Sequence, residues 1–178
     1  MEAKTQLDIK IRKLKDSDDL EQITLMIRSA YKALLDKGFR YWGTFQTKED
    51  TAKRFAYGHP FIAELDGKII GTITLREDHT GWEESPWYDK EEVCFFSQFA
   101  VAPEYQKSGV GSQMMNFIES FAKELGFQEI ALDTCEDAKG LIDYYKARGY
   151  RFVEYVQWDP DMVNYRSVVL SKSFKINP

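Results

Sequence analysis

The residue types best placed for chemistry fall between Ser97 and Leu125, in the run SQFAVAPEYQKSGVGSQMMNFIESFAKEL. Apolar density over Phe95–Val101 predicts a strand, and a turn-rich segment with Pro103, Gly109 and Gly111 follows it. From Ser108 onward apolar residues recur at helical spacing, at Val110, Met114, Phe117, Ile118, Phe121 and Leu125. The segment therefore reads as strand, loop, helix, with glycines where the helix begins. The first turn of a helix leaves backbone N–H groups without intrahelical partners, and the helix dipole adds partial positive charge there. Glycines remove the side chains that would hold an anion away from that backbone. The chemistry this predicts is a cradle for a phosphate or pyrophosphate. The same glycines also serve to close a turn or to let a helix pack tightly, so spacing alone leaves both readings open.

The wider pattern is more specific. Gln106-Lys107-Ser108-Gly109-Val110-Gly111 matches Gln/Arg-x-x-Gly-x-Gly/Ala, and Ala100-Val101-Ala102-Pro103-Glu104-Tyr105 precedes it. This stretch resembles the acetyl-CoA pyrophosphate loop of the GNAT (N-acetyltransferase) superfamily. Other nucleotide loops fit badly: there is no Gly-x-x-x-x-Gly-Lys-Ser/Thr run, and the third glycine of a Gly-x-Gly-x-x-Gly pattern would be Met114. A second match is Leu141-Ile142-Asp143-Tyr144-Tyr145-Lys146-Ala147-Arg148-Gly149-Tyr150, similar to the superfamily helix whose tyrosine lies beside the CoA sulfur. The two motifs span about 95–151.

The resemblance implies one α/β domain over 1–178, with a cofactor-binding core of about 93–151 and acetyl-CoA as co-substrate. It implies a single mixed, mostly antiparallel sheet of about seven strands flanked by about four helices. The pyrophosphate site would comprise Gln106, Lys107, Ser108, Gly109, Val110, Gly111 and Ser112. The pantetheine arm would run along Phe99, Ala100 and Val101, whose N–H groups near Phe99 and Val101 would meet an oxyanion. Tyr145 maps to the general acid that protonates the departing thiolate; on its residues alone, a Tyr-Tyr pair near a helix end also reads as sheet packing. The chain departs from the pattern at two places. Ala138 stands where an asparagine is usual, leaving Thr134, Glu136 and Asp137 as neighbours, and Phe95 stands where some members carry a glutamate base. Glu91, Glu92, Asp133, Glu136 or a water held by Ser97 or Gln98 are the replacements in view. The expected activity is direct acetyl transfer in a ternary complex to a primary amine of a small molecule or peptide. A non-catalytic acyl-CoA-binding sensor or regulatory module is the alternative that the missing residues favour.

Bulk properties bound the rest. The 178 residues, 43% hydrophobic and 30% charged, suit one soluble domain with a core of its own. No apolar run approaches the roughly 20 residues that span a membrane, and MEAKTQLDIKIRKLK has no signal-peptide core, so a cytoplasmic protein is expected. A net charge of −5 argues against nucleic acid as a partner; it suits a cationic substrate such as an amine, and is equally the ordinary acidity of a protein with no such partner. Cys94 and Cys135 sit in apolar contexts and read as buried thiols, with a catalytic thiol as the alternative; with His59 and His79 they offer no zinc spacing, and no metal is expected.

The elements that must position these residues follow from periodicity. Leu7, Ile9 and Ile11 alternate in a strand over 6–14; Asp16-Ser17-Asp18 offers a cap for a helix running to Lys37, stopped by Gly38. The aromatic segment 39–46 either plugs the core or lines a pocket. Thr47, with Asp50 three residues on, opens a short helix to Gly58. Two strands, 61–65 and 68–75, flank Asp66-Gly67, a type I′ hairpin signal. A long loop over 76–92 is a second candidate wall of a substrate site. After Gly126 come a strand at 129–134, a helix at 138–148, and strands at 152–158 and 167–171. Trp42, Trp82, Trp87 and Trp158 either cage a cation or pack. The aromatic final hairpin permits a homodimer without requiring one.

Overall fold

The computed structural model describes residues 7–78 and 84–175. In chain order the elements are β1 (Lys10–Lys13), α1 (Leu20–Leu35), α2 (Lys48–Ala56), β2 (Gly58–Leu65), β3 (Lys68–Arg76), β4 (Val93–Val101), α3 (Val110–Glu124), β5 (Glu129–Cys135), α4 (Lys139–Ala147), β6 (Arg151–Val156) and β7 (Ser167–Ser173). One seven-stranded sheet runs in the order β1-β2-β3-β4-β5-β7-β6. Every neighbouring pair is antiparallel except β4 and β5, so the expected mixed, mostly antiparallel sheet with four helices is what forms.

Strand alternation sorts the core onto two faces. Phe61 and Ala63 join Val110, Met114, Ile118 and Ala122 beneath α3, while the intervening Ile62 packs with Ile23, Ile27 and Phe55 beneath α1 and α2. Gly71 on β3 lets α3 lie close, since a Cβ there would stand 2.7 Å from the Met114 sulfur. The hairpin turn has Asp66 at φ 49° and Gly67 at φ 78°, the positive values a type I′ turn needs.

Several boundaries differ from the sequence reading, each for a physical reason. Residue 6 lies outside the described residues, and β1 pairs only over Lys10–Lys13 although Leu7 and Ile9 still pack on the core. The cap of α1 is Asp19, which accepts from the N–H groups of Glu21 and Gln22. Asp18 is instead held by Arg12, at 2.8 and 2.9 Å, and Arg12 also reaches Glu64 at 2.8 Å. That guanidinium keeps the Asp18 carboxyl below its ordinary range, chiefly through the hydrogen bond. Thr47 caps α2 in a reciprocal box with Asp50, as read, but Gly58 already belongs to β2. There a Cβ would collide with the Leu75 carbonyl oxygen, so only glycine fits.

Candidate active site

The site originates in a failure of strand pairing. β4 and β5 pair at Val93 with Glu129, Cys94 with Ile130 and Phe95 with Ala131, and then part. From Phe96 to Val101 the β5-facing edge of β4 therefore has no strand partner. Ala102 donates its N–H to the Ile70 carbonyl at 2.8 Å, so by alternation Phe99 and Val101 turn their backbone groups away from β3. Their carbonyls bear this out: Phe99 O accepts from the Tyr31 hydroxyl and Val101 O from Gln106 Nε2, each at 3.0 Å. A bulge lies just before, where the register passes from Thr72 opposite Ala100 to Thr74 opposite Ser97, with Gln98 at φ 50°. A cleft of about 1540 Å³ runs along this open edge.

One end of the cleft is the N-terminus of α3. Gly109, at φ 92°, is its cap and gives no side-chain hydrogen bond. Gln113 N–H to Gly109 O, at 3.1 Å, closes the first helical turn, so no side chain caps the N–H groups of Val110, Gly111 and Ser112. Lys107, at φ 61°, turns the preceding backbone in the same left-handed sense. Phe99, Ala100, Val101, Gln106, Lys107, Gly109, Gly111 and Ser112 all line the cleft. The side chains of Ser108 and Val110 do not: the Ser108 hydroxyl is bound to the Tyr105 carbonyl, and Val110, the first residue of α3, is fully buried. A Cβ on Gly111 would reach to 3.5 Å from the Phe99 ring, so glycine keeps the passage from loop to strand edge wide. Uncapped N–H groups at a helix start beside a lysine suit an anionic group.

Tyr145 stands where the cleft meets α4. Its ring is buried against Phe96, Tyr144 and Tyr150, at centroid distances of 6.2, 5.3 and 5.7 Å. The side chain lines the cleft, and its hydroxyl makes no hydrogen bond with any described residue. Burial pushes the phenol well above its ordinary pKa, so the group is a neutral O–H donor at every working pH. Ala138 caps α4 without a side-chain bond, and nearby Thr134 is engaged with the Tyr41 hydroxyl at 2.7 Å.

Among the candidate bases, Asp133 lines the cleft; Glu91, Glu92 and Glu136 do not. Asp133 accepts from Tyr88 O–H at 3.1 Å and from Trp158 Nε1 at 2.9 Å, both neutral donors. Glu136 is taken by Arg166, which lowers its pKa through their hydrogen bond. Ser97 lines the cleft, but its hydroxyl is buried and has no hydrogen-bond partner among the described residues. Gln98 is buried and committed elsewhere: its Oε1 accepts from Gln46 Nε2 at 2.7 Å, and Gln46 Oε1 accepts from Arg54 Nη1 at 2.7 Å.

The profile of the Acetyltransferase (GNAT) family matches residues 24–150. The chain belongs to the GNAT acetyltransferase family. It is 27% identical over 135 residues to an S-(2-succino)cysteine N-acetyltransferase of Bacillus subtilis (strain 168), covering 74% of this chain and 78% of that one. An S-alkylcysteine N-acetyltransferase of the same organism is 26% identical over 144 residues, covering 79% and 78%. A GNAT family acetyltransferase from Elizabethkingia anophelis, solved with acetyl-CoA bound, shares the fold with a TM-score of 0.66 and 16% identity, covering 93% of this chain and 98% of that one.

Within this GNAT acetyltransferase the remaining candidates separate cleanly. Cys94 and Cys135 are fully buried, neither lines the cleft, and burial raises both thiol pKa values, as expected of inert thiols. The three described tryptophans do not all face the cleft. Trp42 and Trp158 line the cleft, Trp87 lies under Lys90 and Arg151, and Trp82 lies outside the described residues. Residues 79–83 of the 76–92 loop are likewise outside them, but Tyr88 from that loop does reach the cleft. Sequence reasoning missed Tyr31, Gln46 and Arg54. Tyr31 was indistinguishable from the apolar stripe of α1, and nothing in spacing marks an arginine of α2 as a cleft residue. Among the described residues no helix is long and apolar enough to cross a membrane.

Proposed function

We propose that this GNAT acetyltransferase moves the acetyl group of acetyl-CoA to a primary amine by direct attack within a ternary complex. The observation that carries the reading is that the uncapped start of α3, the open edge of β4 and the unbonded hydroxyl of Tyr145 share one cleft. The first holds the pyrophosphate of the co-substrate. The second pairs with the pantetheine arm as an added strand would. The amine enters as ammonium, drawn by the Asp133 carboxylate, and loses a proton to Asp133 directly or through one water. Its nitrogen then adds to the thioester carbonyl, whose oxygen gathers charge beside the N–H groups of Phe99 and Val101. As the C–S bond breaks, Tyr145 gives its proton to the sulfur and recovers one from the amine nitrogen through solvent. The balance is ammonium plus acetyl-CoA giving acetamide, free CoA thiol and one proton. Neither buried cysteine enters this sequence, so no acyl-enzyme forms.

S-substituted cysteines, the acceptors named for two relatives, belong in the first panel tested. The test is CoA-thiol release over that panel with both substrates varied. The reading expects amine-dependent release with intersecting double-reciprocal lines. Parallel lines with an acetyl-cysteine found by mass spectrometry would replace it with a covalent route. The absence of Glu at Phe95 and of Asn at Ala138 favours a second reading, a non-catalytic acyl-CoA-binding module. Its signature is an acetyl-CoA thermal shift of about 3–4 kcal/mol at 100–1,000 times Kd without release for any amine.

A further inference from the structure

The charges on the acceptor side of the cleft are unequally matched. Arg76 is paired with Asp78 and Asp50 is held in the cap of α2, while Lys37, Lys53, Lys107, Lys139 and Asp137 are exposed. Arg54 and Asp133 are different. Both are half-buried and line the cleft, and neither is in a salt bridge among the described residues. Arg54 spends one N–H on the Gln46 carbonyl oxygen at 2.7 Å, and the rest of its fork bonds no other described residue. Its pKa is lowered, with loss of hydration as the largest cause; Arg76 adds to the lowering, while Tyr31, Asp133 and Asp50 act against it. Tyr31 in turn donates to Phe99 O, so Arg54 lies close to the open edge of β4.

The mounting of Arg54 is rigid. Gln46 Nε2 donates at 2.7 Å to both Gln98 Oε1 and Thr51 Oγ1, Thr24 Oγ1 donates to Thr51 Oγ1 at 2.8 Å, and Thr72 Oγ1 donates to the Gln98 carbonyl at 2.7 Å. All five of these side chains are buried. An uncompensated guanidinium held by a satisfied buried network is costly unless an anion meets it in the working complex. Asp133 and Asp50 of the chain offset part of that cost from a distance without a salt bridge among the described residues, and an anion bound in the cleft would offset more.

We infer that the acceptor is a zwitterionic amino acid, its carboxylate seated on Arg54 and its ammonium on Asp133. This rests on the acetyl-transfer reading above and narrows its acceptor to a class. A guanidinium fork suits a carboxylate in two-point contact, and a separate carboxylate suits an ammonium a few atoms away. Arg54 is then a specificity residue: it fixes which amine is presented, and Tyr145 and the β4 edge act on whatever is presented.

The test compares each of a set of amino acids, S-alkylcysteines included, with its methyl ester and its decarboxylated amine. KM and kcat are measured by CoA release, and acetyl-CoA binding is followed separately by thermal shift. The wild type should show a KM for the acids at least about tenfold below that for the esters and amines, with the difference in KM rather than kcat. Arg54→Gln should bring acid and ester to a common value, and Arg54→Lys should restore part of the gap. Equal KM for acid and ester in the wild type overturns the inference while leaving acetyl transfer standing. So does a preference that survives in Arg54→Gln. If Arg54→Gln does not fold, the wild-type comparison decides alone. If no amino acid is acetylated or bound by the CoA complex, the inference fails; whether the other amines release CoA then decides the broader reading separately.

Discussion

The end of the cleft that our proposal assigns to the cofactor is made of backbone, and the end it assigns to the acceptor of side chains held by other side chains. At the first, glycine at φ 92° starts α3 with no side-chain cap, and β4 simply runs out of strand partner after Phe95. At the second, Arg54 is aimed by Gln46, which is fixed by Gln98 and Thr51. Backbone recognition suits a ligand that never changes, because N–H groups keep their geometry whatever the neighbouring side chains become. Side-chain recognition suits a ligand that differs between relatives, because one substitution retargets it. The two ends should therefore fail independently when broken.

The largest separation should come from Gly111→Glu, which sets a carboxylate and added bulk at the first turn of α3. Calorimetry should find acetyl-CoA binding weakened on the order of 100-fold with little change in melting temperature. Gln46→Leu attacks the other end. It strands buried partners, so the melting temperature should fall by an amount equivalent to about 1–3 kcal/mol and the acceptor KM should rise. Acetyl-CoA affinity should stay within about twofold; a large loss there would mean the two ends are coupled through Gln98. The smallest effect belongs to Lys107→Ala, where an exposed charge is removed from beside the pyrophosphate. Acetyl-CoA binding should weaken about two- to fivefold, and the difference should fade as salt is raised.

A pH profile sharpens the chemistry at the junction of the two ends. A phenol whose pKa is raised by burial stays protonated past pH 10, so acid catalysis is not lost as pH rises. The plot of kcat/KM should show no falling limb at neutral pH; a fall at higher pH belongs to the free acceptor losing the ammonium proton that Asp133 recognises. A falling limb at neutral pH would remove Tyr145 as the acid.

The contrast between the two ends also explains what was legible beforehand. Glycines and a helical stripe mark the cofactor loop because backbone geometry restricts residue type locally: few residues besides Gly109 tolerate φ 92°. The parting of β4 from β5 was not legible. Val93–Phe96 and Ile130–Leu132 are apolar because they are buried, and burial continues where pairing stops. The bulge at Gln98 and the Gln46–Gln98 bond join residues far apart in the chain, so no window of spacing contains them. The cap of α1 was ambiguous for a related reason. Four polar residues, Asp16 to Asp19, compete for it, and Arg12 on the neighbouring strand removes Asp18 from the contest. Tyr145 was readable only through the motif around it; its environment of Phe96 and Tyr150 is tertiary.

The most direct test of the account is amine-dependent release of CoA thiol, measured side by side for the wild type and Tyr145→Phe. The substitution removes one hydroxyl and keeps the ring that packs on Phe96, so acetyl-CoA should shift the melting temperature of both proteins alike. The account predicts a kcat at least about tenfold lower in Tyr145→Phe, with KM for acetyl-CoA little changed. Equal release by the two proteins would make Tyr145 a packing residue and contradict the mechanism.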